Sequence, residues 1–229
     1  MEQKKIRLAK FLSQAGVASR RKAENLIKQG KVKIGLHIVK DLATSVPENS
    51  QDIFVNNKAV ILEKKVYYLL NKPTGYVCSV SDPHNKKTVM SLVPKEPKVF
   101  PVGRLDKDSQ GLILLTNDGD LAHQLTHPKF EVKKTYLVTV DKILTRDIES
   151  KLKKGISLEE GLAKVDKLKI LSSKKLEIVI HQGWNRQIRR MLAKLGYKVI
   201  ELSRISEANL KLGNLPIGKY KVLNKNDIK

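Results

Sequence analysis

A carboxylate lies near the middle of the chain, where a polar loop leads into a solid apolar strand. Asp106 is at the centre of the loop, residues 103–109, and the apolar run of residues 111–116 follows it. A carboxylate can serve as nucleophile, acid or base only where the chain holds it rigidly, and a buried strand gives that support. An aspartate beside a strand is also a common turn residue, so its surroundings decide between the two interpretations.

Further along the chain, arginines are concentrated in one short segment. Arg186, Arg189 and Arg190 put three of the nine arginines within five residues. They open a predicted helix with an apolar face made of Ile188, Met191, Leu192 and Leu195. Positive charge is unfavourable at a helix N-terminus. We therefore expect a negative partner close by, either a phosphate or a carboxylate such as Asp106.

Two shorter motifs also contain residues suited to a site. Tyr136 ends the run Lys-Thr-Tyr on a predicted strand. Core packing is the commoner role for such a ring, but beside a catalytic carboxylate it can stack on a nucleobase. Lys72 begins Lys-Pro-Thr-Gly, which predicts a rigid turn between two strands. A purely architectural role would also explain that turn.

The charge balance favours an anionic partner. The 229 residues include 45 Lys+Arg and 23 Asp+Glu, for a formal net charge of +22. Such a surface attracts polyanions, RNA above all, although a generally lysine-rich proteome would be a simpler cause. Hydrophobic residues reach 41%, enough to bury a core.

Several other function classes are disfavoured by the residue content. Cys78 is the single cysteine, which excludes a disulfide framework or a cysteine zinc site within one chain. The five histidines are scattered, so we expect no metal site. Phosphate-binding loops and serine-nucleophile motifs are absent. No apolar stretch is long enough for a membrane helix, and the first ten residues lack the apolar core of a signal peptide, so we expect a cytoplasmic protein.

The elements that must position these residues fall into two predicted domains. Residues 1–62 form the first. Helical spacing over residues 6–15 predicts one helix, and Ser19 is predicted to cap a second that Gly30 ends. Apolar alternation over residues 32–38 predicts a strand, and residues 53–55 predict another. Basic residues cluster on the helix pair, and we assign four of them to RNA binding: Arg7, Arg20, Arg21 and Lys22.

Residues 66–229 form the second predicted domain. Strands are predicted at residues 66–70, 76–80, 99–102, 111–116, 135–140, 165–170, 176–180 and 199–202, and helices at 120–125, 145–152 and 187–195. Most strands follow one another without a helix between them. We therefore expect an α+β fold with a mixed, mainly antiparallel sheet flanked by helices. The polar tail, residues 219–229, is expected to be partly loose.

Taken in order, the motifs resemble the RsuA/RluB/RluE/RluF-type family of ribosomal RNA pseudouridine synthases. The matches are Lys-Pro-x-Gly at 72–75, Gly-Arg-Leu-Asp at 103–106, Thr-Asn-Asp-Gly at 116–119, Lys-Thr-Tyr at 134–136 and Asn-Arg-Gln-Ile-Arg-Arg-Met at 185–191. Residues 1–62 resemble the alpha-L RNA-binding domain, first seen in a ribosomal protein. Ile34-Gly35 replaces the usual Asn-Gly there, and Trp184 stands where a basic residue is common.

The resemblance implies a reaction and roles for individual residues. It implies that one uridine of ribosomal RNA is isomerised, without metal or organic cofactor. Asp106 would be the catalytic aspartate, Arg189 its ion-pair partner and Tyr136 the ring that packs on the target base. Arg104 would fill the gap left by the flipped uridine. Three further residues are assigned to RNA contacts: Lys72, Arg186 and Arg190.

The expected partner is ribosomal RNA, in a hairpin or bulge where flipping a base costs least. The large subunit is favoured over the small one, and a monomer is the default. A non-catalytic RNA-binding or ribosome-assembly factor of the same fold is the alternative. An RNA methyltransferase is disfavoured because no glycine-rich cofactor loop follows a first strand.

Overall fold

The computed structural model describes residues 4–228. Two compact units divide the chain. The first contains the residues up to Lys65, with Glu96–Lys98 and Asn117–Gly119. The second contains Val66–Lys95, Val99–Thr116 and the residues from Asp120 onward.

The first unit packs two helices with short strands. Its elements are β1 (Lys5–Arg7), α1 (Leu8–Gln14), α2 (Arg20–Lys28), β2 (Val32–Ile34), β3 (His37–Val39), β4 (Ser45–Pro47), β5 (Ile53–Val55) and β6 (Lys58–Ala59). Strands β1 and β4 pair with each other, and the other four form a sheet in the order β3-β2-β5-β6. The predicted cap is confirmed, since the Ser19 hydroxyl accepts a hydrogen bond from the Lys22 backbone N–H.

Two local predictions for this unit were wrong. The first helix begins at Leu8, because Ile6 belongs to β1 and pairs with Val46. The alternating run at 32–38 is a hairpin rather than one strand. Gly35 turns the chain with φ of +56°, and Leu36 at the tip is 93% exposed. The period-two pattern holds on the first arm, but after the turn that glycine makes easy Val39 packs against the core and Ile38 is 57% exposed.

The second unit is built on one large sheet. Its strands are β7 (Tyr67–Lys72), β8 (Phe100–Val102), β9 (Gln110–Thr116), β10 (Lys134–Val140), β11 (Ile156–Leu158), β12 (Gly161–Ala163), β13 (Lys167–Ser172), β14 (Lys175–Ile180), β15 (Val199–Glu207), β16 (Leu210–Lys211) and β17 (Tyr220–Val222). Its helices are α3 (Gly119–Thr126), α4 (Ile148–Lys154) and α5 (Gln187–Lys194). The short 3-10 helices are Val89–Leu92, Pro128–Phe130 and Lys225–Ile228.

The large sheet has nine strands and is mainly antiparallel, as expected. Its order is β13-β14-β10-β15-β9-β7-β17, with β8 added to β9 and β16 to β15. Strands β9 and β15 pair in parallel, with Gly111 opposite Arg204. Residues 111–116 of β9 are all buried. The strand that follows the Asp106 loop is therefore held on both edges and both faces.

Two further predictions fail in this unit. Residues 76–80 form no regular strand, and their strand-like pairing is an isolated bridge from Val77 to Thr88. The tail at 219–229 is not loose over its described part. Strand β17 pairs with β7, and Ile228 is buried among apolar neighbours. Strand β17 lies at the edge of the sheet, where polar residues are common. Polarity alone therefore does not distinguish such a strand from a loose segment.

The core of the second unit places α5 beside the sheet. Ile188, Met191 and Leu192 are buried with the inward residues of β10, β14 and β15. Leu195 is partly buried against the same cluster. The predicted apolar face of this helix is thus confirmed, and it fixes the arginines at the start of α5. No helix within residues 4–228 is long and apolar enough to cross a membrane.

Candidate active site

A cleft of about 430 Å³ opens in the second unit where the Asp106 loop, β10, β15 and the start of α5 meet. The loop joins β8 to β9 and contributes Arg104 and Asp106 to the lining. Leu105 and Ser109 are buried and anchor the loop on either side of the carboxylate. The Asp106 side chain keeps 26% of its surface exposed. The structure thus holds the loop while leaving this carboxylate open to a ligand.

Lys72 holds the Asp106 loop from beneath. It is fully buried, and its ammonium donates hydrogen bonds to three carbonyl oxygens, those of Pro73 (3.1 Å), Asp106 (3.0 Å) and Ser109 (2.6 Å). Burial lowers the pKa of Lys72. The prediction that Lys72 contacts RNA was wrong, because its charge is used inside the protein. The backbone of Gly75 adds a second tie by donating to the carbonyl of Lys107 at 2.7 Å.

The arginine nearest to Asp106 is Arg186, not Arg189. Arg186 makes a forked pair with Asp108, at 2.9 and 2.8 Å, and its Nη1 lies 3.8 Å from an Asp106 oxygen. Those hydrogen bonds lower the pKa of Asp108 and raise that of Arg186. A left-handed backbone at Arg186, with φ of +48°, aims the side chain at the loop.

Arg189 is used differently from the ion pair that the resemblance implied. Its Nη2 donates to the carbonyl of Asp108 at 3.0 Å, and its Nη1 donates to the carbonyl of Val199 at 3.1 Å. Its Nε lies 3.5 Å from the carboxylate of Asp108. Those acceptors hold the guanidinium beside Asp108 and Val199. Arg189 therefore ties the loop to the beginning of β15, and Asp106 enters its surroundings only as a more distant charge.

The remaining predicted RNA contacts of this unit differ in exposure. Arg104 is exposed at the mouth of the cleft. Arg190 is turned to Glu160 in a forked pair at 3.0 and 2.7 Å. Arg190 does not line the cleft. An RNA phosphate would have to displace Glu160 to reach it.

Tyr136 lies in the cleft, on β10. Its ring is 8% exposed, and burial raises the pKa of its hydroxyl. Across the sheet it faces Arg204 on β15, where the two residues are register partners. The Arg204 guanidinium opposes part of that pKa shift. A nearly buried aromatic ring that lines the cleft suits packing against a planar base.

Sequence reasoning missed Arg204 and Glu207. Both are 1% exposed, both line the cleft, and they form an ion pair at 3.2 Å. Burial alone would lower the pKa of Arg204, but the Glu207 carboxylate and the Tyr136 hydroxyl outweigh it and the pKa is raised. A signal was available, because Arg204 is two residues after the apolar Leu202 and shares its face of the strand.

The basic residues of the first unit lie on its surface. Arg20, Arg21 and Lys22 open α2 and are all exposed. No ion pair joins them to an acidic residue within positions 4–228. Arg7 is exposed as well, and its guanidinium donates to the carbonyl of Ala43. Within the described chain, no group of three or more His, Cys, Asp or Glu is arranged to hold a metal.

Comparison with known proteins adds a family to this geometry. A family model described as RNA pseudouridylate synthase matches residues 66–194, more than half of the chain. The chain belongs to the RNA pseudouridylate synthase family. An S4 domain model matches residues 6–52, which confirms the predicted RNA-binding domain at the N-terminus.

Relatives of this RNA pseudouridylate synthase match almost the whole chain. Ribosomal large subunit pseudouridine synthase B from Bacillus subtilis (strain 168) is 43% identical over 97% of this chain and 94% of its own length. Dual-specificity RNA pseudouridine synthase RluF from Escherichia coli (strain K12) is 35% identical over 97% of this chain and 77% of its own. A crystal structure of a pseudouridylate synthase aligns with a TM-score of 0.70 at 33% identity, covering 97% of this chain and 98% of that one. The predicted α+β fold and reaction class are confirmed.

Proposed function

We propose that this synthase isomerises a specific uridine of large-subunit ribosomal RNA, with Asp106 as the catalytic carboxylate. The observation that carries the proposal is the setting of Asp106. Its side chain stays accessible in the cleft, while Lys72 and Leu105 immobilise the loop on either side. A partly exposed carboxylate on an immobilised loop meets the requirement for attack on a bound ligand.

The chemistry requires little more from the protein. The bond between C1′ of the ribose and N1 of uracil must break, the base must turn, and C5 must bond to C1′. An ionised Asp106 can bond to C1′ or can take a proton from C2′. Both routes need the carboxylate beside the sugar and Tyr136 beside the base. Both also need a site that excludes water from the detached base. Neither route calls for a metal or an organic cofactor.

We assign supporting roles by the position of each side chain. Arg104, exposed at the mouth, is proposed to occupy the gap that the flipped uridine leaves in the RNA. Arg189 is proposed to position the loop through Asp108, rather than to contact Asp106 directly. Residues 66–229 would carry catalysis, and residues 1–62 would hold the RNA through Arg7, Arg20, Arg21 and Lys22. The proposed target uridine lies in a hairpin or bulge, because a loop nucleotide flips at lower cost.

A monomer acting on cytoplasmic ribosomal RNA, or on its precursor, completes the proposal. The relative from Bacillus subtilis is named for the large subunit, and the one from Escherichia coli for dual specificity. Mapping pseudouridines in a large-subunit transcript after incubation with the protein would identify the target. A small-subunit transcript incubated in parallel tests the choice of subunit.

Asp106→Asn tests the catalytic assignment. We expect release of tritium from C5-labelled uridine in the transcript to fall at least about 10³-fold, because an amide is a poor nucleophile and a poor base. RNA affinity should change little. Asp147→Asn is the matched control, since that aspartate is exposed at the start of α4, outside the cleft. Turnover in Asp106→Asn near the level of the control would refute the assignment.

A further inference from the structure

One wall of the cleft carries buried charges that the proposed role of Asp106 leaves unused. Arg204 and Glu207 lie on β15, each 1% exposed. Lys134, half-buried on β10, is the register partner of Glu207 and lines the same cleft. The group therefore contains two cations and one anion. Removing charges from water is costly, and a single carboxylate does not balance two cations.

Both cations retain hydrogen-bonding capacity. Arg204 donates from Nε to the carbonyl of Leu112 at 2.8 Å and from Nη1 to Glu207 at 3.5 Å. Its buried Nη2 has no acceptor in hydrogen-bond geometry, although a Glu207 oxygen lies 3.2 Å away. Lys134 donates to the carbonyls of Val132 (3.0 Å) and His181 (3.4 Å). An ammonium has three donors, so one remains for a ligand.

The reaction itself produces a negative charge that such a group would stabilise. When the C1′–N1 bond breaks, its electron pair leaves with the uracil. The detached base is then an anion, with the charge shared by N1, O2 and O4. This holds whether Asp106 bonds to C1′ or takes the C2′ proton. The charge is cancelled when C5 bonds to C1′, while the Asp106–C1′ bond breaks in the first route or the C2′ proton returns from Asp106 in the second. Loss of the C5 proton with protonation of N1 completes the product.

We propose that Arg204, assisted by Lys134, donates hydrogen bonds to a carbonyl oxygen of the uracil and stabilises its anion during the isomerisation. Arg204 would then be a catalytic residue, and Glu207 a positioning residue that orients its guanidinium. Fixed donors aimed at developing charge in a water-poor site are an effective means of lowering a barrier. The inference rests on the proposed function, because it places the target uridine in this cleft.

Arg204→Met, which keeps the length and removes the charge, is the main test. The substrate is a synthetic RNA fragment around the mapped uridine, carrying either uridine or 5-fluorouridine at that position. Fluorine withdraws electrons and makes the detached base a more stable anion without help from the protein. Single-turnover rates are measured as loss of the original nucleoside in nuclease digests. Arg146→Met is the matched control, because Arg146 is exposed and does not line the cleft.

For the uridine fragment we expect Arg204→Met to be slower by roughly 10² to 10³-fold, the usual effect of removing one such donor. RNA affinity should stay within about threefold, since the interaction strengthens mainly as the bond breaks. For the 5-fluorouridine fragment the loss should be smaller by about tenfold or more. Arg146→Met should match the unmodified protein on both fragments.

Equal losses on the two fragments would indicate a merely structural role and overturn the proposal, as would an unimpaired rate. If Arg204→Met melts early, Arg204→Lys provides the same comparison, because it keeps the charge but loses the fork. Asp106→Asn is run on both fragments. Activity in that variant would refute the proposed function. The role of Arg204 is tested separately, by comparing the rate loss of Arg204→Met on the uridine fragment with its rate loss on the 5-fluorouridine fragment.

Discussion

Among Gly→Ala substitutions in the second unit, we expect Gly111→Ala to cause the largest loss of stability. Gly111 sits where β9 and β15 pair in parallel, with φ of +108°. A Cβ there would lie 2.7 Å from the backbone nitrogen of Arg204 and closer still to its carbonyl oxygen. Backbone atoms of a central strand cannot move aside as a flexible side chain can. The two strands would therefore have to separate.

The magnitude follows from two contributions. A positive φ costs about 1–2 kcal/mol for alanine relative to glycine, and the overpacking adds about 1–3 kcal/mol. Gly213→Ala is the matched control. That glycine has φ of +58° and open space around its missing Cβ, so it should lose only about 1 kcal/mol. The clash alone should thus separate the two variants by about 2 kcal/mol.

Urea unfolding followed by tryptophan fluorescence measures this difference. Trp184 is the only tryptophan and lies in the cleft, so its emission reports on the second unit. With a slope of about 2 kcal/mol per M, the midpoint of Gly111→Ala should fall roughly 1 M below that of Gly213→Ala. Tritium release should fall too, because β9 carries the Asp106 loop and β15 carries Arg204, and displacements approaching 1 Å cost about 10²-fold. Equal midpoints in the two variants would refute the reasoning.

Three other perturbations test separate parts of the structure. Lys72→Met should lower the free energy of unfolding by about 2–4 kcal/mol, because buried carbonyl acceptors lose a charged donor; a loss under about 1 kcal/mol in urea would contradict this. The pKa of Asp108 is lowered by its Arg186 partner, so its contribution to stability is complete above the ordinary aspartate pKa and is lost as pH falls through the lowered one. Asp108→Asn should therefore flatten the acid limb of a stability-against-pH curve, and parallel curves would count against it. Replacing Arg20, Arg21 and Lys22 together by glutamine should reduce the slope of log affinity against log salt by about 2–3, and an unchanged slope would exclude this surface as an RNA contact.

Two basic residues that were predicted to contact RNA have other partners in the folded chain. Lys72 and Arg190 were assigned to RNA because a basic side chain near a motif suggests a phosphate partner. In the folded chain, Lys72 is capped by three carbonyl oxygens and Arg190 by Glu160. Which partner satisfies a long cationic side chain depends on acceptors far away in sequence, and local spacing carries no information about them.

Linear order was sufficient for several conclusions about this synthase. The charge excess, the loop with Asp106 before an apolar strand, the helical face of α5 and the Ser19 cap all depend on near neighbours or on composition. The charge excess indicated an RNA partner, the succession of predicted strands indicated the fold class, and the resemblance of the ordered motifs indicated the family. Comparison confirmed all three. Periodicities of two and 3.6 residues are local properties, so they can be detected in the sequence without knowledge of the tertiary structure.

Folding in three dimensions decided how the charges are matched. The parallel pairing of β9 with β15 brings Gly111 against Arg204, and the pairing of β10 with β15 sets Tyr136 opposite the same arginine. Those registers join residues about 70 to 90 positions apart in the sequence. Electrostatic energy depends on distances and burial, which only the packed sheet defines. For that reason Asp106 could be proposed from the sequence, while the pairing of Arg204 with Glu207 beside Tyr136 is defined only by the fold.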